Sequence, residues 1–576
     1  MKAQRSIPVL IIAAGLLAYH NSFSGALVYD DPVFWANSPQ VRELWSPWKI
    51  LTHSWRPIVF LSFAMNYALG GLNPWGYHLF NVAVHILAGL TLYGVMRRTL
   101  ISEWLAAAVA LIWLVHPLQT ESVTYIWQRC ELLMGLFYLL TLYCVIRSTN
   151  STRSLWWQAA AVVSCALGMA SKEVMVTAPV VVMLYDRIFL AESWREVGQR
   201  RWTMYACLAA TWLVLPFVEA NALEVVRRNA GFEFKAYTPL QYALTQLGVI
   251  LHYLRLAFWP EPLCLDYGWG FGWALAQRPA DVLPGLLSVS GLLTATAWAL
   301  WRKPALGFLG VWFFLILAPT SSFYSTSDLI VEHRMYLSLA AVVATVVIGV
   351  FALGNRLFSK RQKLGRLLGW GTCGIAVFSL TSGTIQRNLD YRSELLIWQD
   401  TVNKCPNNPR AHYNLGNALL NTGRFKEASA HWEQAVRIKP DYPAAQNNLA
   451  IAMAQSCKLK EAIDHWEQAL MFEPGNPETQ NNLAYALSQL GRVHEAIQHY
   501  EAAIRAKPDY VQAQVNLATL LAARPTAEGG DPVRALQLAR AAGQTQLVTQ
   551  IEHRLESYRA GRPDQQGTAT GDTGNR

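Results

Sequence analysis

Charged residues are scarce in this chain of 576 residues, where they make up 15%, against about 25% in a typical soluble domain. Paired cysteines are also lacking, because the eight cysteines stand singly and no CxxC pair occurs. This spacing predicts neither a zinc site nor a disulfide framework. The chain is instead rich in hydrophobic residues, which make up 53% of it.

The net charge of +10 could indicate a nucleic-acid partner, but the distribution of basic residues argues against one. Many of them form short clusters between apolar runs, as the cytoplasmic loops of membrane proteins do. The clusters are Arg97 and Arg98, Arg195 to Arg201, Arg302 and Lys303, and Arg356 to Arg366. We therefore expect a membrane protein that has no nucleic-acid partner.

Apolar runs of about 20 residues, the length needed to span a bilayer, fill the first two thirds of the chain. They lie near 6–22, 76–96, 103–117, 131–147, 155–171, 174–190, 202–219, 240–258, 282–301, 305–319, 336–355 and 367–385. The sequence predicts an all-α protein with a polytopic membrane domain at 1–386, a linker at 387–406, a repeat domain at 407–545, and a helical end with a disordered tail at 546–576. About 11 to 13 spans are expected.

The orientation of these spans follows from the basic loops, which place the N-terminus inside. The first run could be a cleaved signal peptide after Lys2 and Arg5, but no clean small-x-small site follows it, which favours an uncleaved span. A full crossing at 240–258 would put Arg302 and Lys303 outside. We therefore expect that segment to be re-entrant or broken, or a short extra crossing to lie in 260–281. With that correction the last span exits to the outside, and the repeats lie there.

Internal repeats of 34 residues begin near Asn407. Proline recurs at 440, 474 and 508, leucine at 415, 449, 483 and 517, and alanine at 428, 462 and 496. This period predicts tetratricopeptide (TPR) repeats, in which stacked helical hairpins share one core and form a concave surface.

A column of asparagines occupies one repeat position at Asn414, Asn448, Asn482 and Asn516. An asparagine side chain can both donate to and accept from a peptide backbone, so the column could bind an extended acceptor chain. The alternative is that this position simply caps or lines the hairpin.

Polar side chains recur in the loops and span ends expected on the outer face. Charges near a bilayer are costly, which makes these residues functional candidates. Asp30 and Asp31 follow the first span, and the later candidates are His116, Glu121, Arg129, Glu131, Lys172, Arg255 and Arg334. A carboxylate can act as the base for an acceptor hydroxyl, and Arg or Lys can stabilise a departing phosphate. Single His and Arg residues at helix ends often have only a structural role, whereas the adjacent aspartates are the stronger signal.

These motifs resemble a known family. "YDD" after the first span, "HPLQTESVTYIWQRCELL", "SKE", "EHRMYL" and the terminal repeats are similar, in that order, to the TPR-bearing transmembrane O-mannosyltransferase-like proteins of the GT-C glycosyltransferase superfamily, including bacterial relatives. The chain departs from the family's "GR.DLL" pattern at Gln128 to Glu131, where the glycine is lost.

The resemblance implies a glycosyltransferase that moves a mannosyl-type sugar from a polyprenyl-phosphate donor to a Ser or Thr hydroxyl of a protein on the non-cytoplasmic face. It implies catalytic roles for Asp30, Asp31, His116 and Glu121, and donor-phosphate binding by Arg129, Lys172, Arg255 and Arg334. Some members of the superfamily use a divalent metal, Mg or Mn, so a metal site is left open. A bacterial inner membrane is favoured over the endoplasmic reticulum.

Two other functions stay open on the sequence. The membrane domain could be a non-catalytic anchor for a TPR scaffold, or the sugar acceptor could be a lipid or polysaccharide.

Overall fold

A computed structural model describes residues 2–31, 35–100, 102–218, 220, 238–268, 279–326, 328–524 and 530–559. The chain divides into two compact units, unit 1 at Met1–Asn408 and unit 2 at Pro409–Arg576. The regular elements of the described residues are helices, which confirms the predicted all-α class. The expected outer loop at 220–240 and the C-terminal tail fall mostly outside the described residues.

The helices of unit 1 are α1 Lys2–Tyr19, α2 Pro39–Arg42, α3 Pro47–His53, α4 Pro57–Gly70, α5 Pro74–Thr99, α6 Glu103–Leu114, α7 Thr120–Thr124, α8 Arg129–Thr149, α9 Ser154–Met169, α10 Ala178–Tyr185, α11 Trp194–Ala210, α12 Pro239–Phe258, α13 Pro279–Arg302, α14 Pro304–Leu317, α15 Met335–Leu357, α16 Gln362–Asp390 and α17 Glu394–Lys404. Those of unit 2 are α18 Pro409–Asn421, α19 Phe425–Ile438, α20 Pro443–Gln455, α21 Leu459–Phe472, α22 Pro477–Gln489, α23 Val493–Ala506, α24 Val511–Ala523, α25 Pro532–Ala541 and α26 Thr545–Arg559.

Proline opens many of these helices, because it has a helical φ and the first turn does not need its missing N–H. Helix α12 shows the local signals together. It starts at Pro239, and Thr238 and Gln241 form a capping box in which each side chain accepts from the other's backbone N–H.

Seven helical segments in the described part are long and apolar enough to cross a membrane. They are Ser6–Ser24, Pro74–Thr99, Ile126–Thr149, Trp194–Val218, Ala280–Arg302, Glu332–Leu357 and Gln362–Asp390. Shorter apolar helices in unit 1 are Pro57–Gly70, Glu103–Leu114, Ser154–Met169 and Pro304–Leu317. The protein is therefore a multi-pass membrane protein, although the expected 11 to 13 spans exceed the seven full-length candidates because several predicted runs form shorter helices.

One face of unit 1 carries most of the polar loops. We call it the loop face and define it by residues 20–31, 115–128, 170–173, 318–326 and 328–334. Helix α4 starts at this face, since the N–H of Ile58 donates to the carbonyl of Ala170. Near its end, Asn66 donates to the carbonyl of Gly76 in α5.

Helix α12 also lies on the loop face, and it is unbroken over Pro239–Phe258. The Tyr242 hydroxyl near its start donates to the carbonyl of Thr320 at 2.6 Å, and the Ala257 carbonyl at its end accepts from His116 at 3.1 Å. The expected break within 240–258 is therefore wrong. Because both ends of α12 lie on one face, the loop after it stays on the same side of the membrane as the loop before it. Arg302 and Lys303 then no longer fall on the outside, which removes the conflict. The alternative extra crossing in 260–281 falls partly on residues 269–278, outside the described part.

The segment 387–406, expected to be a linker, is instead an ordered part of unit 1. Arg387 and Asn388 lie buried at the end of α16, and Trp398 is buried in α17. Packing also brings the Cys405 thiol within 3.3 Å of the Cys264 thiol, a pair separated by 141 residues in sequence. Sequence spacing could not indicate this contact.

Unit 2 is built from the predicted helical hairpins. The leucines at 415, 449, 483 and 517 and the alanines at 428, 462 and 496 are all buried, which confirms them as core positions. The repeated prolines close the turns between hairpins, because Gln446 donates to the carbonyl of Pro440 and Gln480 to that of Pro474. Helix α26, Thr545–Arg559, ends the described part of the unit.

The turn inside each of the first three hairpins has a residue with positive φ. Gly423 and Gly491 take φ of 78°, and Cys457, at the same repeat position, takes φ of 61°. Because a Cβ disfavours this left-handed conformation by about 1–2 kcal/mol, Cys457→Gly is expected to stabilise unit 2 by about 1 kcal/mol. Hydrogen exchange of helices α20 to α22 in the purified full chain would measure it as slower opening.

Cys457→Ala is the matched control, since it removes the thiol but keeps the Cβ, and it should leave exchange unchanged. A similar gain from Cys457→Ala would attribute the effect to the thiol and contradict the backbone argument.

Candidate active site

The second aspartate of the pair, Asp31, is fully buried and its carboxylate is fully engaged. One oxygen accepts from the N–H of Val28 at 2.9 Å, and the other accepts from the Trp35 indole at 2.9 Å and the N–H of Trp127 at 2.8 Å. Burial raises the pKa of Asp31 to about 7, while these three donors favour the carboxylate. Asp31 therefore joins the first loop to the turn at Trp127.

The first aspartate, Asp30, is only half-buried, and its backbone N–H donates to the Tyr125 hydroxyl at 3.1 Å. It follows Tyr29, whose φ of 53° is unusual for a residue with a bulky side chain. The Tyr29 ring packs against Tyr125 and Trp398. Strained backbone of this kind clusters at functional sites. Here it lies directly before Asp30, whose neighbour Asp31 is held by three hydrogen bonds.

A charged cluster adjoins the acidic pair through Trp127. The Arg56 guanidinium lies over the Trp55 and Trp127 rings and contacts Glu173 at 3.6 Å. Next to it, the buried Lys172 ammonium donates to the Glu131 carboxylate at 2.6 Å. Burial alone would lower the pKa of Lys172, but the carboxylates of Glu131 and Glu173 outweigh it and raise the pKa. Lys172 is therefore a permanent cation.

Glu121 is buried and binds His333, from a loop more than 200 residues away. Its carboxylate contacts the imidazole Nδ1 at 2.7 Å and accepts from the backbone N–H of His333 at 2.9 Å. Burial raises the pKa of Glu121, while the charges of Arg387 and Lys172 act in the opposite direction. The structure thus brings Glu121 to the same polar region as Lys172.

His116 does not have the geometry of a catalytic base. Its Nδ1 accepts from the N–H of Leu118 at 3.2 Å, and its Nε2 donates to the carbonyl of Ala257. Burial lowers its pKa to about 4, so the ring is neutral with both nitrogens engaged. Its role is to cap the turn Pro117–Gln119 and to hold α12.

Arg129 is not placed to bind a donor phosphate, because it is fully buried. Its guanidinium donates to Asn81 at 2.7 Å, to Ser62 at 3.3 Å and to the carbonyl of Tyr77 at 3.0 Å. It also lies 4.4 Å from the ring centroids of Phe63 and Phe80. It holds α4, α5 and α8 together.

The other two predicted phosphate ligands differ in their surroundings. Arg334 is buried and donates to Thr326 and to the carbonyls of Asp328 and Leu329, so it mainly orders the 326–334 loop. Arg255 is exposed and donates to the carbonyl of Glu261 at 2.7 Å. The contacts described for Arg255 do not connect it with the acidic pair.

The asparagine column of unit 2 connects successive repeats. Asn448 donates to Asn417 at 2.9 Å, Asn482 to Asn447 at 3.3 Å and Asn516 to Asn481 at 2.9 Å. One amide N–H of each of these three residues is therefore used between hairpins, as the structural alternative expects. Asn414 is half-buried at the same position of the first repeat.

The acidic pair does not fit a metal site in which both aspartates are ligands, because three N–H donors already occupy the Asp31 oxygens. Among the residues that the structure describes, no three His, Cys, Asp or Glu side chains are placed to hold a metal ion.

Four residues outside the predicted catalytic and phosphate-binding set also lie in this region. Tyr29 has the strained backbone, Arg56 joins the charged cluster, and Glu332 and Arg387 lie within electrostatic reach of Glu121. Arg387 was hidden because a basic residue at the end of an apolar run looks like an ordinary span flank.

Family comparison agrees with this division of the chain. Residues 53–219 match the model of the dolichyl-phosphate-mannose-protein mannosyltransferase family, and residues 409–442 and 477–510 match tetratricopeptide repeats.

Curated relatives extend the similarity. The chain is 25% identical over 448 residues to protein O-mannosyl-transferase F38B6.6 of Caenorhabditis elegans, covering 73% of this chain and 61% of the relative. It is 25% identical over 493 residues to human protein O-mannosyl-transferase TMTC4, covering 72% and 64%. It is 34% identical over 197 residues to human TMTC2, covering 30% and 23%. The chain thus spans less than two thirds of the length of these relatives. These matches confirm the predicted resemblance: one segment of the chain matches the mannosyltransferase family model, two segments match tetratricopeptide repeats, and the similar relatives are protein O-mannosyl-transferases.

Proposed function

We propose that this protein is a glycosyltransferase that moves mannose from a polyprenyl-phosphate donor to a Ser or Thr hydroxyl of a protein, on the non-cytoplasmic face. The names of its relatives support the sugar and the protein acceptor. The carrying observation is the division of the acidic pair, in which Asp31 is fixed by three donors and Asp30 follows the strained residue Tyr29.

In this proposal Asp30 accepts the proton of the acceptor hydroxyl while the hydroxyl oxygen attacks the anomeric carbon. The bond between that carbon and the phosphate oxygen breaks, and the phosphate departs with the electron pair. Lys172 and Arg56 belong to the charged cluster that adjoins Asp31 through Trp127, and in this proposal they stabilise the charge that develops on the leaving group. No step in this proposal uses a metal.

The repeat domain would recruit the acceptor protein. Stacked hairpins form a concave surface of the kind that binds extended chains. One amide N–H of Asn448, Asn482 and Asn516 is used between repeats, so the column offers an acceptor chain less than its full set of donors.

A transfer assay tests this function directly. The full chain is reconstituted in lipid nanodiscs with radiolabelled polyprenyl-phosphate mannose and a set of Ser- and Thr-rich acceptor peptides. We expect label in the peptide fraction and release of polyprenyl phosphate. A well-folded preparation that labels no peptide would contradict the proposal, and label in lipid or polysaccharide alone would change the acceptor class.

A further inference from the structure

Two buried thiols face each other in unit 1. The sulfur of Cys264, in the segment that follows α12, lies 3.3 Å from the sulfur of Cys405, directly after α17, and neither side chain is exposed. The two residues are 141 positions apart in the sequence, so only the packing of this segment against α17 brings them together. The bond of a disulfide is about 2.05 Å long, so a movement of about 1.2 Å would join the two sulfurs.

The segment after α12 is fastened to the end of unit 1 on both sides of the thiol pair. The Lys404 ammonium donates to the carbonyl of Leu263 at 2.7 Å, and the Asn408 amide donates to the carbonyl of Asp266 at 2.9 Å. These are polar contacts between fixed backbone carbonyls and side chains next to the second cysteine. The approach of the two sulfurs is therefore set by a network of contacts and not by the thiols alone.

A buried cysteine often serves only as a small apolar side chain, and other cysteines of unit 1 show that behaviour. The Cys130 thiol contacts the Gln128 side chain, and the Cys165 thiol contacts the Thr211 hydroxyl. The pair at the ends of α12 and α17 differs, because each sulfur has the other as a neighbour. Two sulfurs that face each other have the arrangement from which a disulfide forms.

The compartment around the pair decides whether the thiols stay reduced. The backbone N–H of Cys264 donates to the Glu332 carboxylate at 2.5 Å, and Glu332 belongs to the loop face. In the proposed function this face is the non-cytoplasmic one, where disulfides form and persist in an oxidising environment. Thiols in contact at this face are therefore expected to be oxidised.

We propose that Cys264 and Cys405 form a disulfide in the membrane-inserted protein, and that this bond clamps the segment after α12 to the end of α17. The inference rests on the face assigned in the proposed function, and it depends on neither the sugar nor the acceptor.

The bond forms by exchange with a disulfide oxidant, such as an oxidised dithiol protein of the same compartment. One thiolate of the chain attacks the disulfide of the oxidant, which gives a mixed disulfide and releases the first thiol of the oxidant. The second thiolate then attacks the chain's own sulfur in the mixed disulfide, which closes the new bond and releases the second thiol of the oxidant. The two thiol protons of the chain end on the oxidant, which gains two electrons.

This exchange takes place while unit 1 is folding. Contact with Cys405, followed by burial, raises the pKa of the Cys264 thiol well above its usual range, which leaves little thiolate in the folded protein. Neither residue is exposed, so a protein oxidant cannot reach the sulfurs once the segment has packed. After packing, the same burial protects the bond from reduction.

The clamp also acts on the candidate active site. The Tyr267 hydroxyl donates at 2.7 Å to the same Glu332 oxygen that accepts from the N–H of Cys264. The residue after Glu332 is His333, which binds Glu121. The disulfide would therefore hold both donors of Glu332 in place next to the Glu121 and His333 pair.

Differential labelling of thiols in the full chain tests the bond. Membranes are quenched in acid and denatured, free thiols are blocked with light N-ethylmaleimide, and disulfides are then reduced and labelled with the heavy reagent. Peptide mass spectrometry should find the heavy label on Cys264 and Cys405, and the light label on Cys457, an exposed single thiol. Light label on both Cys264 and Cys405 would overturn the proposal.

The variant Cys264→Ala identifies the partner, because it should move Cys405 to the light label. The control Cys457→Ala should leave the heavy label on both members of the pair. Heavy label on Cys405 in Cys264→Ala would mean that another thiol is its partner, and it would overturn the pairing.

Thermal unfolding measures the clamp in the purified full chain. A phosphine reductant should lower the melting temperature of the unsubstituted chain by roughly 5 °C, because the bond closes a loop of 141 residues. The melting temperature of Cys264→Ala should not respond to the reductant. An equal shift in that variant would attribute the effect to another bond and contradict the clamp.

The outcomes separate this inference from the proposed function. Heavy label on both cysteines in a chain that labels no acceptor peptide would support the disulfide and reject the proposed function. Sugar transfer by a chain in which both cysteines carry only the light label would support the function and overturn the disulfide.

Discussion

Asp30→Asn is expected to reduce sugar transfer about 10²–10⁴-fold, the usual contribution of a positioned general base. The substitution keeps the size of the side chain but removes its ability to accept the acceptor proton. Because Asp30 is half-buried, the melting temperature should change little. The measurement is kcat in the nanodisc assay, with the melting temperature recorded for the same preparation.

Asp31→Asn is the matched control for this experiment. An amide places an NH₂ group where a carboxylate oxygen now accepts an N–H, and a lost buried hydrogen bond costs about 1–3 kcal/mol. Asp31→Asn should therefore lower the melting temperature clearly, and any loss of activity should follow from disorder of the loop. Full transfer by Asp30→Asn, or identical stability losses in the two variants, would contradict the division of roles.

Lys172→Met is expected to destabilise the protein by about 3–5 kcal/mol, because it leaves the Glu131 carboxylate buried without its cation. The side chains of Lys172 and Glu131 are only 6% and 3% exposed, so water cannot compensate. Thermal unfolding in detergent measures the loss. Glu173→Gln, at the exposed end of the Arg56 pair, should cost less than about 1 kcal/mol.

The double variant Lys172→Met with Glu131→Leu separates structure from catalysis. Replacing a buried ion pair with apolar side chains of similar size is often neutral, so stability should largely recover. If the cation also stabilises the departing phosphate, transfer should remain low in the restored protein. Recovery of both stability and transfer would show that the Lys172–Glu131 ion pair has only a structural role.

The site residues show how far sequence reasoning reaches. The adjacent aspartates, Glu121 and Lys172 were recognised, because polar residues in loops between apolar runs need a reason to be there. The sequence alone could not assign different roles to these residues. Asp30 and Asp31 are neighbours in the sequence, and only the distant Trp127 N–H and the Trp35 indole make one of them a structural residue. His116 was predicted to be catalytic and Arg129 to bind the donor phosphate, but their nitrogens are bonded to backbone groups and to neutral side chains.

The local sequence pattern is sufficient to predict that the chain has two parts, and to predict the type of domain that each part forms. Apolar runs of bilayer length and a strict 34-residue period depend on spacing along the chain, and hydrophobic burial converts that spacing directly into helices and hairpins. Which polar groups meet depends on contacts across 40 to 270 residues, such as those of Asn81 with Val123 and Thr384 with Val115. Such contacts arise when whole helices pack, and for that reason the three donors that meet at the Asp31 carboxylate and the course of α12 along one face could be seen only in the folded molecule.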